Sequence, residues 1–135
     1  MSVPFKTSFW VRFGDTDPFG VVYFVSFFRY AHQALEDFFR ARGMDPGELF
    51  RNPDRNLGLP VVAAGGEFKR PLKYGVEVEA RVFLASKGNS SITFRVEFWQ
   101  KGEHSGSVDL VLVAIDKAWR PRRLPPELEA LEVED

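Results

Sequence analysis

The chain holds 135 residues, 44% of them hydrophobic, with eighteen Lys and Arg against nineteen Asp and Glu for a formal charge of −1. That length fits one domain over residues 1–135, with a C-terminal tail from about 120, and buries roughly 70% of its unfolded surface, which excludes disorder. With no basic run to follow a phosphate backbone, no nucleic-acid partner is expected, and the absence of Cys removes disulfides, a thiolate nucleophile and Cys-ligated zinc.

The opening residues carry Lys6 and Arg12 and no long apolar stretch, so neither a secretory leader nor a membrane-inserting segment is expected, and a cytoplasmic location follows. Phe5, Thr7, Phe9, Val11 and Phe13 alternate with Lys6, Ser8, Trp10 and Arg12, the period of a half-buried strand. The turn residues of Gly14-Asp15-Thr16-Asp17-Pro18-Phe19-Gly20 end it. From about Phe24 to Arg42, Phe24, Phe28, Ala31, Leu35 and Phe38 step by four, three, four and three, which predicts a helix. Phe27, Tyr30, Ala34 and Phe39 broaden the stripe until the helix reads as buried, and Gly43 supplies its stop.

Residues 45–56 read as a loop with one short helical turn. Strands are expected over Leu59–Arg70, Val76–Ser86, Ser91–Lys101 and Ser107–Ala118, joined by turns at 87–89 and 102–106 that suit antiparallel hairpins. The last strand is apolar on both faces apart from Asp109, which places it under cover or centrally. A short helix is expected near Pro125-Pro126-Glu127, and the acidic run to Asp135 reads as solvated. The layout is α+β: one sheet must wrap one helix.

Asp15-Thr16-Asp17-Pro18-Phe19-Gly20 is the densest candidate site. As a calcium loop it fails, because the twelfth position is Ser26 where a bidentate Glu is required. Paired carboxylates for acid–base catalysis remain one reading, and two Asp residues capping turns another. No G-x-S-x-G occurs, and only His32 and His104 are available as bases. His104 lies in an expected solvated turn. His32 precedes Glu36 by one helical turn, so Glu36 can hold one imidazole tautomer; a core-packed His is the plainer reading. Two His without Cys do not suggest a metal site.

The run Gly14-Asp15-Thr16-Asp17-Pro18-Phe19-Gly20-Val21-Val22-Tyr23-Phe24 before a long helix resembles the signature of hot-dog-fold acyl-CoA thioesterases. It is similar, more narrowly, to the 4-hydroxybenzoyl-CoA thioesterase family, whose motif runs Asp-x-Asp-x-x-Gly. The likeness continues through Leu59-Pro60-Val61-Val62 and Phe68-Lys69-Arg70-Pro71-Leu72. It implies a hot-dog fold, one long helix wrapped by a five-stranded antiparallel sheet, and hydrolysis of an acyl-CoA with no cofactor beyond the CoA of the substrate.

By that resemblance Asp17 is the catalytic carboxylate, either attacking the thioester carbonyl or activating water, and Asp15 is structural. The oxyanion would meet backbone amides at the helix N-terminus, with Gly20 allowing the turn and Phe24 donating. No Ser, Thr, Asp or Asn stands directly before Phe24, though Ser26 is an alternative cap. Where the 4-hydroxybenzoyl enzymes place a second carboxylate on the helix, this chain has His32. The run His32-Gln33-Ala34-Leu35-Glu36 resembles 1,4-dihydroxy-2-naphthoyl-CoA hydrolases, so His32, Glu36 and Val61 are expected to bind an aromatic acyl group. Lys69, Arg70 and Lys87, with Lys73, are candidates for the CoA phosphates. A short- or medium-chain aliphatic acyl-CoA thioesterase, or a non-catalytic acyl-CoA-binding module, are the alternatives. Fourteen Phe and three Trp exceed what one small core needs. With Trp10 and Trp99 on outer sheet faces, this predicts a homodimer or homotetramer, and the resemblance implies a site at the subunit boundary, where Asp17 and the helix of one chain meet the 58–65 segment of its neighbour.

Overall fold

The structure, a computed structural model, describes residues 4–134. In chain order it runs β1 (Phe5–Trp10), α1 (Phe24–Ala41), α2 (Pro46–Phe50), the short pair β2 (Arg51–Asn52) and β3 (Leu57–Gly58), β4 (Val61–Phe68), β5 (Glu77–Lys87), β6 (Ser91–Gln100), β7 (Glu103–Val113) and α3 (Pro126–Glu129). Five strands form one antiparallel sheet in the order β1-β5-β6-β7-β4. The strands that flank α1 in sequence, β1 and β4, occupy opposite edges, so α1 has to cross the face of the sheet to join them.

The period-2 and period-3.6 patterns meet in that crossing. Phe27, Tyr30, Ala31, Ala34, Leu35, Phe38 and Phe39 of α1 are buried against alternate sheet residues such as Val82, Phe94, Val96, Phe98 and Leu110. Phe38 packs edge-on to Phe94 at 5.3 Å, and Phe27 to Phe98 at 5.4 Å. Each such side chain contributes about 1.5–3 kcal/mol by burial, with a smaller share from ring geometry. The helix ends as expected at Gly43, whose φ of +76° lets the Met44 amide donate back to the Phe39 carbonyl at 3.0 Å. Its far side, at Arg29, Gln33 and Arg40, is exposed, because five strands cover only one flank.

Several boundaries depart from expectation for physical reasons. β1 stops at Trp10 because its partner β5 begins opposite it at Glu77. β7 starts at Glu103, since Lys101 and Gly102 (φ +49° and +75°) close the hairpin in two residues. His104 is therefore a strand residue, half-buried and stacked on Trp99 at 4.9 Å, rather than a solvated turn residue. Trp99 has the Arg81 guanidinium 4.1 Å above its ring, so its own chain covers it. β7 does lie inside the sheet, between β6 and β4.

The acidic C-terminal stretch is docked where solvation was expected. Leu124 and Leu128 are buried, and Lys87 Nζ donates to the Glu129 carbonyl at 2.6 Å and to that of Leu131. Asp135 lies outside the described residues. Among those residues no helix is long and apolar enough to cross a membrane.

Candidate active site

The residues between β1 and α1 fold into a pinned loop. A 3-10 turn at Phe13–Asp15 leads to a pairing of Thr16 with Val22, and the Asp17 amide donates to the Val21 carbonyl at 2.8 Å. Gly20 occupies the tip with φ +77°, a region that favours glycine. The loop is also bonded to the segment after β4: the Val22 amide donates to the Leu72 carbonyl and the Tyr74 amide to that of Gly20. The Asp17 side chain is thus laid alongside the chain entering α1.

The two carboxylates of the motif have different surroundings. Asp15 Oδ2 accepts from the Tyr30 hydroxyl at 2.6 Å, and Oδ1 pairs with the Arg29 guanidinium. Burial raises its pKa, but the Tyr30 and Arg29 contacts outweigh it and hold the carboxyl below its usual value. Tyr30 responds in the other direction, pushed up to about 12 by burial and by its bond to Asp15. Asp15 therefore works as an anchor between loop and helix. Asp17 Oδ1 accepts from the Phe19 amide at 2.8 Å and the Val21 amide at 3.4 Å, an Asx turn, while no hydrogen bond engages Oδ2 among the described residues. One oxygen is held and the other is available.

α1 begins without a side-chain cap. Tyr23 is its N-cap residue and bonds no helix amide through its side chain. The Phe24 and Val25 amides have no acceptor among the described residues, so two donors and the positive end of the helix dipole stand open. Ser26, the alternative cap, lies within the first turn, and its hydroxyl is 3.5 Å from Asp15 Oδ1. A cavity of about 210 Å³ at this end is lined by Phe24, Phe27, Phe68, Lys69 and Arg70. A second, of about 290 Å³, shares Arg70 with it and adds Lys73 and Lys101.

His32 and Val61 meet elsewhere, at a cavity of about 570 Å³ near the β2–β3 pair. The His32 ring lies 4.7 Å from that of Phe50. Its Nδ1 is 3.8 Å from Glu36 Oε2, too long for a hydrogen bond, so Glu36 does not fix the tautomer in this structure. Lys69 and Arg70 lie together beside Ser105, to whose carbonyl both amides donate. Lys87 ends β5 at the sheet's opposite end: Phe68 is in register with Ala80 through Gly106 and Phe98, and Lys87 lies seven residues further on, about 23 Å along the strand, with its ammonium on backbone carbonyls. Sequence reasoning missed Phe50, Lys101 and Trp119. Lys101 was legible as a hairpin residue, whereas nothing local linked Phe50 and Trp119 to His32.

A family profile described as the Thioesterase-like superfamily matches residues 11–131. The chain belongs to that superfamily. A 1,4-dihydroxy-2-naphthoyl-CoA hydrolase from Prochlorococcus marinus strain MIT 9303 is 36% identical over 122 residues, covering 87% of this chain and 81% of that one. One from strain NATL2A is 30% identical over 117 residues, covering 83% and 76%. Among solved structures, a gentisyl-coenzyme A thioesterase matches with a TM-score of 0.82 and 25% identity over 93% of this chain and 99% of its own. A 1,4-dihydroxy-2-naphthoyl-CoA thioesterase from Synechocystis matches with a TM-score of 0.83 and 21% identity over 94% and 93%. This member of the superfamily has the hot-dog fold and is a thioester hydrolase.

Proposed function

We propose that this thioesterase hydrolyses the CoA thioester of an aromatic acid, with Asp17 as its catalytic carboxylate. The observation that carries the reading is the pairing of a half-held Asp17 carboxylate with an uncapped helix N-terminus. As the thioester carbonyl is attacked, charge develops on its oxygen, and the Phe24 amide, which has no acceptor among the described residues, is the donor that would receive it, with Gly20 allowing the turn. Asp17 either attacks that carbon or takes a proton from the attacking water. Collapse of the adduct expels the CoA thiolate; if Asp17 attacked, water then cleaves the resulting acyl–Asp17 anhydride and frees the carboxylate, and if water attacked, its oxygen is already that of the free acid.

Lys69 and Arg70 border the helix-end cavity, and Lys73 and Lys101 the adjoining one, an order that suits the CoA arm and its phosphates. Lys87 is left out by its position. The aromatic acyl group is supported by the relatives' substrates and by the His32–Phe50–Val61 cavity. All eight residues of β4 are exposed, and its outer edge pairs with no described strand. Antiparallel pairing of two copies there would set the Val61 end of one beside the Phe68 end of the other, bringing each acyl cavity to its neighbour's α1 N-terminus. The active form is therefore a dimer or a multiple of it. The aromatic residues beyond the core agree: Phe13, Phe19, Phe24 and Phe68 are all exposed.

Thiol release from a panel of aromatic and aliphatic acyl-CoA esters, with light scattering on the same sample, tests this. Aromatic esters should turn over fastest in a species of at least dimer mass. Aliphatic preference would overturn the substrate class, no turnover would favour a binding module, and full activity at monomer mass would overturn the shared site.

A further inference from the structure

The chain between β7 and α3 makes a tight turn that the mechanism above does not use. Ile115 pairs with Gly58 on one side and Pro121 on the other. Asp116 Oδ1 accepts from the amides of Ala118 and Arg120 at 2.8 and 3.0 Å, and the Lys117 amide donates to Asn56 Oδ1 at 2.8 Å. These bonds hold Trp119 at φ +63°, a left-handed conformation that a bulky side chain rarely adopts. Trp119 is nevertheless 74% exposed, so burial in this chain does not account for the strain. Strained backbone held by its surroundings is a device found where a side chain must be presented.

What Trp119 is presented to is the cavity where His32 and Val61 meet. Its volume of about 570 Å³ falls in the usual range of small-molecule sites, roughly 300–1,000 Å³. Phe50, with the His32 ring tilted against it at 4.7 Å, contributes to the lining, along with Ile115, Leu59 and Val61, and Trp119 is the remaining aromatic. His32 and Phe50 come from helical elements and Trp119 from the loop after the sheet, so the ring systems approach from different parts of the fold. Flat rings and apolar side chains, joined in the lining by the His32 imidazole and by the charged Arg51, Asp116 and Lys117, suit a planar aryl group with polar substituents better than a flexible apolar chain.

We propose that Trp119 is a specificity-determining residue, forming an aromatic wall of the acyl pocket that selects planar aryl groups over aliphatic ones. This inference rests on the thioesterase reading above, and binding measured without turnover separates the two. The Trp119→Ala and Trp119→Phe variants should fold like the wild type, since the side chain is exposed. Trp119→Ala should lower kcat/KM for 2-naphthoyl-CoA about tenfold and leave hexanoyl-CoA within about twofold, with Trp119→Phe retaining most of the aryl preference. Calorimetric titration with 2-naphthoate should show a similar weakening. Equal losses on both esters, no loss, or a fall in oligomer mass for Trp119→Ala would overturn the assignment, the last by making Trp119 an interface residue. Naphthoate binding that depends on Trp119 in a protein that turns over no ester would uphold the pocket while refuting the thioesterase reading. Turnover without any aryl-selective effect would do the reverse.

Discussion

Replacing Asp17 by Asn separates chemistry from folding, because the two depend on different oxygens. Oδ1 accepts from the Phe19 and Val21 amides, and an Asn carbonyl oxygen can accept from both. What is lost is the charge on the acceptor, worth about 0.5–1 kcal/mol for a partly exposed turn. In a chain of this size that lowers Tm by about 2–5 °C. The chemical cost is larger, since an amide is neither a nucleophile nor a base at neutral pH. General-base catalysis alone is worth about 10²–10⁴-fold, or roughly 2.7–5.5 kcal/mol at 1.36 kcal/mol per decade. The barrier should therefore rise several times more than the stability falls. Continuous thiol release at saturating aryl-CoA, alongside a thermal melt of the same preparation, reads both quantities. A folded Asp17→Asn protein turning over within about threefold of wild type would refute the role given to this carboxylate.

Asp15→Asn should act through stability, costing about 1–3 kcal/mol by weakening the bonds to Tyr30 and Arg29. Because the folded carboxyl titrates below its ordinary 3.8, its contribution is complete above that pH and is lost as pH falls through the lowered folded value. Melting curves below pH 4 should thus fall more steeply for wild type than for Asp15→Asn, and parallel slopes would refute the anchor role. Gly20→Ala meets open space but must hold φ +77°, so it should cost about 1–2 kcal/mol and lower kcat through the Asp17 turn. An unchanged Tm would contradict that. His32→Ala should weaken kcat/KM for a hydroxyaryl-CoA relative to its unsubstituted counterpart by the worth of one hydrogen bond, about 0.5–1.5 kcal/mol. Equal losses on both would reduce His32 to packing.

Local periodicity carried most of the fold. The alternation in Val76–Leu84 and Ile92–Phe98, and the three-and-four spacing of Phe24–Phe38, depend only on which face of an element meets the core, a property written in neighbouring residues. The same holds for the Asp15–Gly20 turn, whose Gly and Asp residues set backbone geometry within a few positions, and for the missing cap before Phe24. Misplaced boundaries came where a partner decided them. β1 ends opposite the residue where β5 begins, and the β6–β7 turn shrank to Lys101-Gly102 because pairing from Glu103 onward outweighed the turn character of its Gly and Ser residues.

The sequence by itself determined the elements, their order, the buried stripe of α1 and the loop that carries Asp17, since each is a short-range consequence of side-chain size, polarity and backbone preference. Only the tertiary structure decided which distant residues share a cavity. Phe50 and Trp119 come to His32 because the β2–β3 pair and the turn after β7 are bonded through Gly58 and Ile115. Lys87 and Arg70 are driven to opposite ends because strand length separates them. The acidic C-terminal stretch docks because Leu124 and Leu128 find an apolar surface that does not exist until the sheet has formed. Such relations are set by chain closure over many tens of residues, and no local pattern encodes them.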